Sequence, residues 1–334
     1  MGKMAVIGGG SWGTALAIHC ARIGMPVSLW VYEQDLAARI ADSRINDVYL
    51  PGVTLPETIQ PTGNFADCLL GARMVMSVVP SHVARAVWSE AHSYLPVDAV
   101  IINATKGIEE GTYLTSSGVL AESIGGNIQD RMVTLSGPTF AREVAQGLPA
   151  AAVIAAVKAD LARDVQMALN SDSLRFYTNA DPVGVEVAAS LKNVMAIAVG
   201  ICDGLELGLN ARAALITRGL AELARLGTAL GADPLTFQGL AGVGDLVLTC
   251  TGDLSRNRTL GLRLGKGEKL ARITASTPMV AEGVKTTRSA HGLAEREGVD
   301  MPITAEIYQV LYGSRDPLDA LRTLMSRSPK SENV

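Results

Sequence analysis

The chain is poor in cysteine. It has four in 334 residues, Cys20, Cys68, Cys202 and Cys250, and no two are close in sequence. With no Cys-x-x-Cys pair and no evenly spaced framework, a disulfide scaffold and a thiolate metal site are both excluded. The expectation is reduced thiols in a cytoplasmic protein, each acting as a small buried hydrophobe. The four histidines are equally scattered, so no metal is expected. Basic charge is also missing: 29 Lys and Arg against 33 Asp and Glu leave a net charge of −4, which gives nucleic acid no electrostatic footprint. No apolar run reaches the ~20 residues of a spanning helix. The best, residues 187–202, carries Lys192 at its centre, which is costly in lipid. The N-terminus enters the apolar stretch 4–7 with no charged leader and long apolar segment, so no targeting signal is expected.

What is present suits a soluble globular chain with a sizeable core: 48% of residues are hydrophobic and 19% charged. The length suggests two domains. The 34 glycines lie in no low-complexity tract, which assigns them to tight turns and close packing.

The first half alternates short apolar runs with helical periods. Strands are expected at 4–7, 27–31, 74–79, 100–103 and 133–135, with weaker candidates at 151–157 and 174–177. Near-continuous apolar strands indicate a parallel sheet covered on both faces, hence a doubly wound α/β domain of Rossmann type. From about residue 181 the pattern becomes helical, with periods over 181–202, 210–230, 254–264, 278–298 and 304–312, then a polar tail from 326. The expected division is a dinucleotide-binding domain over 1–188 and an all-α substrate domain over 189–334.

Residues 8–13 read Gly-Gly-Gly-Ser-Trp-Gly, which fits G-x-G-x-x-G. The string is weak alone, but here it follows a predicted strand and opens a predicted helix. Gly8 permits the turn, Gly10 lets the backbone approach a pyrophosphate, and Gly13 lets helix and strand pack closely. The helix N-terminus offers free N–H groups to the phosphates. Glu33 lies 20 residues after Gly13, near the spacing of a ribose-binding acid, and Tyr32 precedes it. A carboxylate on the 2′-hydroxyl would favour NAD; a Glu33 turned away would leave NADP open.

Ligands of such sheets bind beyond the carboxyl ends of the strands. Pro80-Ser81-His82 follows one strand, Ala104-Thr105-Lys106-Gly107 the next, and Ser136-Gly137-Pro138-Thr139 the third. Lys106 offers a cation to an anionic substrate, and Gly137 and Thr139 could present N–H groups at a helix start. His82 reads as an acid–base group or as a helix-cap histidine.

Lys192 is the most informative single residue, the one charge between Glu186 and Asp203 in an apolar helix. A buried ammonium must be paired or chemically used, and burial lowers its pKa toward the range of a general acid–base; the bland alternative is snorkelling to the helix edge. Asn193 follows it. Asp245 and Thr249 share a helix face, and Asp245 is a candidate partner for Lys192. Ser255, Arg256, Asn257 and Arg258 open the next helix, where an arginine suits a phosphate; Arg258 reads better as a salt-bridge residue.

Ten ordered blocks span nearly the whole length. They are IGGGSWGTALA at the start, YLPG (49–52), VVPSH (78–82), ATKGIE (104–109), LSGPTFAREV (135–144), LKNVMAIAVGICDG (191–204), NARAALITRGLAEL (210–223), GLAGVGDLVLTCTGDLSRNRTLG (239–261), AEGVKTT (281–287) and MPITAEIYQVLY (301–312). The sequence resembles the bacterial NAD(P)-dependent glycerol-3-phosphate dehydrogenases. The resemblance implies reversible conversion of sn-glycerol 3-phosphate to dihydroxyacetone phosphate with NAD or NADP, serving phospholipid synthesis. It implies Lys192 as proton donor and acceptor, in a catalytic group with Lys106, Asn193, Asp245 and Thr249. It places Lys106, Gly137, Thr139, Lys192, Asp245, Ser255, Arg256 and Asn257 around the substrate. It places Gly8, Gly10, Ser11, Trp12, Gly13, Tyr32, Tyr49, Lys106, Ala141, Arg256, Val280 and Glu282 at the nucleotide. The family often carries His or Arg where this chain has Tyr32, and Ser where it has Thr139. A homodimer is compatible with the apolar helices.

Two other readings compete. A dehydrogenase of the 3-hydroxyacid or 6-phosphogluconate type shares the Rossmann half, a helical half and a lysine, but does not call for the 239–261 block. A nucleotide sensor without chemistry would need neither a buried Lys192 nor a phosphate-binding Arg256.

Overall fold

The structure, a computed structural model, describes residues 2–276, 281–329 and 331–332. The first half comprises β1 (Lys3–Ile7), α1 (Ser11–Arg22), β2 (Val27–Trp30), α2 (Gln34–Ser43), β3 (Ile59–Thr62), α3 (Phe65–Leu69), β4 (Ala72–Ser77), α4 (Ser81–Ala91), β5 (Val100–Asn103), α5 (Ser116–Ile124), β6 (Met132–Ser136), α6 (Ala141–Gln146), β7 (Ala150–Ala155), α7 (Ala159–Leu169) and β8 (Leu174–Asn179). The strands form one sheet in the order β3-β2-β1-β4-β5-β6-β7-β8. Strand direction on the sheet alternates side chains between two cores: Met4 and Val6 join one, Ala5 and Ile7 the other. Burial on both faces is why these strands are apolar throughout.

The seven expected strands form, with ends displaced by at most two residues. Two features differ from the expectation. Strand β3 (IQPT) is short and contains Pro61, which removes a ladder donor and hides the strand from a pattern search; it occupies a sheet edge, where proline is tolerated. The sheet is not parallel throughout: β7 runs antiparallel to β6, pairing Thr134 with Ala155 and Ser136 with Val153. The connection carries only the six-residue α6, about 9 Å of helix, so the chain re-enters at the edge it left.

The strand order reverses between β1 and β4, and the crevice there receives the Gly8–Gly13 turn. Gly8 has φ +126°, and a Cβ on it would lie 2.7 Å from the Val78 carbonyl oxygen. A Cβ on Gly13 would lie 1.9 Å from the Gly8 oxygen, so only glycine lets α1 rise directly off β1.

The second half is helical: α8 (Pro182–Gly204), α9 (Gly208–Ala229), α10 (Asp245–Thr251), α11 (Arg256–Gly265), α12 (Leu270–Ala275), α13 (Glu282–Glu297), α14 (Pro302–Tyr312) and α15 (Pro317–Met325). No strand lies here among the described residues. The expected start of one helix at 278 falls outside them, and the expected frayed tail lies partly outside. Asp181 caps α8 by accepting from Gly184 N at 2.8 Å, and Pro182 opens it. With 23 residues, α8 is longer than the apolar run read from the sequence and passes the length and composition test for a membrane span. Its whole apolar window is buried against the rest of the chain, as in the core helix of a globular domain.

Helices α8 and α11 meet backbone to backbone. A Cβ on Gly200 would lie 2.1 Å from the Arg258 oxygen, and one on Gly261 would lie 2.1 Å from the Ile197 oxygen. Glycines on both helices set this approach, which fixes where the Ser255–Arg258 turn stands relative to Lys192.

Candidate active site

The site grows from a buried ion cluster. Lys192 is 6% exposed on α8, and its Nζ pairs with Asp245 Oδ1. Lys106, in the loop after β5, lies 3.3 Å from Asp245 Oδ2. One carboxylate, 1% exposed at the start of α10, therefore holds two ammonium groups from different halves of the chain. Thr249, one turn on, donates to the Asp245 carbonyl at 2.6 Å and lies 3.3 Å from Oδ1, which fixes the carboxylate. Burial drives the Lys192 pKa down to about 8; Asp245 opposes that fall and Lys106 adds to it. Such an ammonium gives up and regains a proton near neutral pH.

Asn193, next on α8, accepts from Asn257 Nδ2 at 2.9 Å, and Asn257 Oδ1 accepts from Gly283 N at 3.0 Å. This chain of bonds joins α8, α11 and α13 and, among the described residues, leaves the Asn193 amide nitrogen for another partner. Ser255 is the N-cap of α11, where its oxygen accepts from Arg258 N at 3.3 Å. Arg258 pairs with Asp203 and Asp253, each at 2.9 Å, as its sequence context suggested. Arg256 is exposed in the first turn of α11. Glu282 begins α13; burial raises its carboxyl pKa, while the charge of Arg256 and then those of Lys106 and Lys192 pull it back. Three cations thus share this region with two carboxylates, a balance suited to an anionic substrate.

The second group lies at the sheet crevice. A Cβ on Gly10 would meet nothing within 4 Å, so the turn faces open space. No side chain caps α1, which leaves its first N–H groups directed outward. Trp12 Nε1 is buried without a hydrogen-bond partner. Ser11 Oγ donates to the Tyr49 carbonyl at 2.5 Å, and Tyr49 OH donates to Glu33 Oε1 at 2.7 Å. Tyr32 is 77% exposed beside them. These residues fit a dinucleotide: a turn with no side chains in the way, uncapped N–H groups for phosphates and an acid at the end of β2.

Gly137, Thr139 and Ala141 lie at the end of β6 and the start of α6. Gly137 has φ +151°, and Thr139 Oγ1 donates to its carbonyl at 3.1 Å. His82 is in the first turn of α4, where partial burial and Lys285 lower its pKa. Val280 falls outside the described residues. All four cysteines are free and buried.

Sequence reasoning missed three residues. Asn46 is fully buried and donates 2.8 Å bonds to Gly9 O and Thr14 Oγ1, bracing the glycine turn. No local pattern marks this role, because the turn it braces lies over 30 residues away. On α8, Ser190 accepts from Gly107 N in the Lys106 loop, and Glu186 accepts from Asn103 at the end of the strand that leads into it. The signal for Glu186 was available, since a second ionisable residue in an apolar helix needs a reason.

A family model described as NAD-dependent glycerol-3-phosphate dehydrogenase N-terminus matches residues 3–162, and one for the C-terminus of the same family matches 181–322. Among curated relatives, glycerol-3-phosphate dehydrogenase [NAD(P)+] of Koribacter versatilis is 52% identical over 334 residues, covering 99% of each chain. The enzyme of that name from Syntrophobacter fumaroxidans is 49% identical, covering 99% of this chain and 97% of its own. Among solved structures, glycerol-3-phosphate dehydrogenase from Coxiella burnetii superposes with a TM-score of 0.93 at 39% identity, covering 98% of this chain and 99% of its own.

Proposed function

The chain belongs to the NAD-dependent glycerol-3-phosphate dehydrogenase family, and on that premise we propose a residue-level account of how it interconverts dihydroxyacetone phosphate and sn-glycerol 3-phosphate. The observation that carries the account is the buried Lys192, held with Lys106 on a single carboxylate, Asp245. Bound NAD or NADP supplies or accepts the hydride. Gly8, Gly10, Gly13, Ser11 and Trp12 would hold its phosphates and adjoining ribose, with Tyr32, Glu33 and Tyr49 toward the adenosine end.

Lys192 Nζ gives a proton to the C2 oxygen in the reductive direction and takes it back in the oxidative one. Lys106 and the free Asn193 amide stabilise negative charge developing on that oxygen. Asp245 keeps both lysines in place, and Thr249 keeps Asp245 in place. Arg256, with backbone N–H groups near Gly137 and Thr139, takes the substrate phosphate and so fixes C2 relative to Lys192. The Glu33 carboxylate, fixed by Tyr49, would accept from a 2′-hydroxyl and repel a 2′-phosphate, a preference for NADH. The protein acts in the cytoplasm, where its reduced product feeds phospholipid synthesis.

The decisive test is Lys192→Ala. Triose-dependent loss of reduced-nicotinamide absorbance should fall by ~100-fold or more, the contribution of a positioned acid–base, with nucleotide affinity retained. Turnover persisting at near-native rate would overturn the assignment.

A further inference from the structure

Glu186 is the carboxyl group in the buried stretch of α8, and the chemistry above does not use it. It is 3% exposed. It accepts from Asn103 Nδ2 at 2.6 Å, Ser117 N at 3.2 Å, Ser117 Oγ at 2.8 Å and Thr134 Oγ1 at 3.1 Å. All four donors are neutral, and all belong to the sheet half of the chain. A carboxylate buried among neutral donors is expensive, so its retention calls for a role.

Its partners lead to one loop. Asn103 Nδ2 also donates to Ser116 Oγ at 2.8 Å, and Asn103 Oδ1 accepts from Thr105 N at 3.2 Å. Ser116 Oγ in turn donates to Thr105 O at 2.9 Å. Both backbone polar groups of Thr105 are therefore held by side chains that Glu186 orients. One turn along α8, Ser190 Oγ accepts from Gly107 N at 3.0 Å while donating to the Glu186 carbonyl at 2.8 Å. The peptides before and after Lys106 are thus both tied to the helix that carries Lys192. On the far side, Gly107 has φ +136°, and a Cβ on it would lie 2.4 Å from Ser81 Oγ, so the loop has no room to retreat.

We infer that Glu186 is a positioning residue for Lys106: through Asn103 and Ser116, with Ser190 completing the clamp, it sets the Lys106 ammonium against Asp245 and the substrate. The inference rests on the reading of Lys106 as a substrate-facing cation, so its test is built as a cycle.

Glu186→Gln keeps the shape but turns one accepting oxygen into a donor facing other donors. Kinetic constants are measured for this variant, for Lys106→Met and for the double variant, with dihydroxyacetone phosphate and NADH. Displacing Lys106 by a fraction of an ångström to 1 Å should lower kcat/KM for the triose ~10- to 100-fold in the native background. In the Lys106→Met background the same change should cost less than about twofold, because nothing is left to position. Nucleotide affinity, read by protein fluorescence quenching, should not change when Glu186→Gln is introduced into either background. If Glu186→Gln does not fold, Ser190→Ala frees the Gly107 N–H and should show the same coupling to Lys106. An equal penalty in both backgrounds, or none in the native one, overturns the inference. A Lys106→Met variant with native constants overturns the reading beneath it, and the inference falls with it.

Discussion

Replacing Asp245 by Asn is the sharpest perturbation available, because it removes one charge and almost no volume. Asp245 is the buried counter-ion shared by Lys192 and Lys106. Two unit charges ~4 Å apart attract by ~4 kcal/mol at an effective dielectric of ~20. At about 1.4 kcal/mol per factor of ten, losing that attraction weakens proton binding by Lys192 on the order of a thousandfold. A lysine is charged below its pKa, so the protonation midpoint moves from about 8 to the acid side. The native protein should reduce dihydroxyacetone phosphate with kcat/KM that falls as pH rises through about 8, and oxidise glycerol 3-phosphate with kcat/KM that rises over the same range. In Asp245→Asn both limbs should shift toward acid. At pH 7 Lys192 then passes from mostly protonated to mostly neutral, a loss of roughly 10- to 100-fold in the reductive direction that acidification partly restores. The assay is kcat/KM in both directions from pH 5 to 10, with circular dichroism confirming the fold. A variant that loses activity but keeps the native pH midpoint would refute the claim that Asp245 sets the protonation of Lys192.

Arg256→Ala should raise KM for the phosphorylated substrate by about 1.5–3 kcal/mol, ~10- to 100-fold, with a much smaller change for the nucleotide; equal effects on both would refute a phosphate role. Glu33→Ala should tighten NADPH relative to NADH by about tenfold, the weight of one exposed charge ~4 Å from a phosphate, measured by fluorescence quenching without turnover; an unchanged ratio would remove Glu33 from cofactor choice. Gly261→Ala places a methyl 2.1 Å from the Ile197 oxygen and should cost about 1–3 kcal/mol in denaturant unfolding. It should also weaken triose binding, because Ser255–Arg258 lead into the displaced helix; an unmoved midpoint would contradict the backbone contact between α8 and α11.

Much of this protein was legible in the order of its residues. Alternation between apolar strands and helical periods, with a glycine turn after the first strand, determined a doubly wound sheet, because short-range sterics and solvent exclusion act along the chain. Lys192 was conspicuous, since an ammonium in an apolar helix violates local solvation and so announces a partner. Asp245 was proposed as a partner because a buried Lys192 needs one, and the pair is present in the structure. What the chain order could not express is convergence across distance. That Lys106, from a loop 139 residues away, reaches the other oxygen of Asp245 depends on how the two halves dock. So does the anchoring of that loop by Glu186, whose partners span β5, α5 and β6. The reversal of β7 against β6 and the proline-bearing edge strand β3 were likewise settled by tertiary pairing, because backbone hydrogen bonds between strands carry no signature in either strand alone. Sequence determined which groups must be buried and which must be satisfied; the fold decided which distant partners satisfy them.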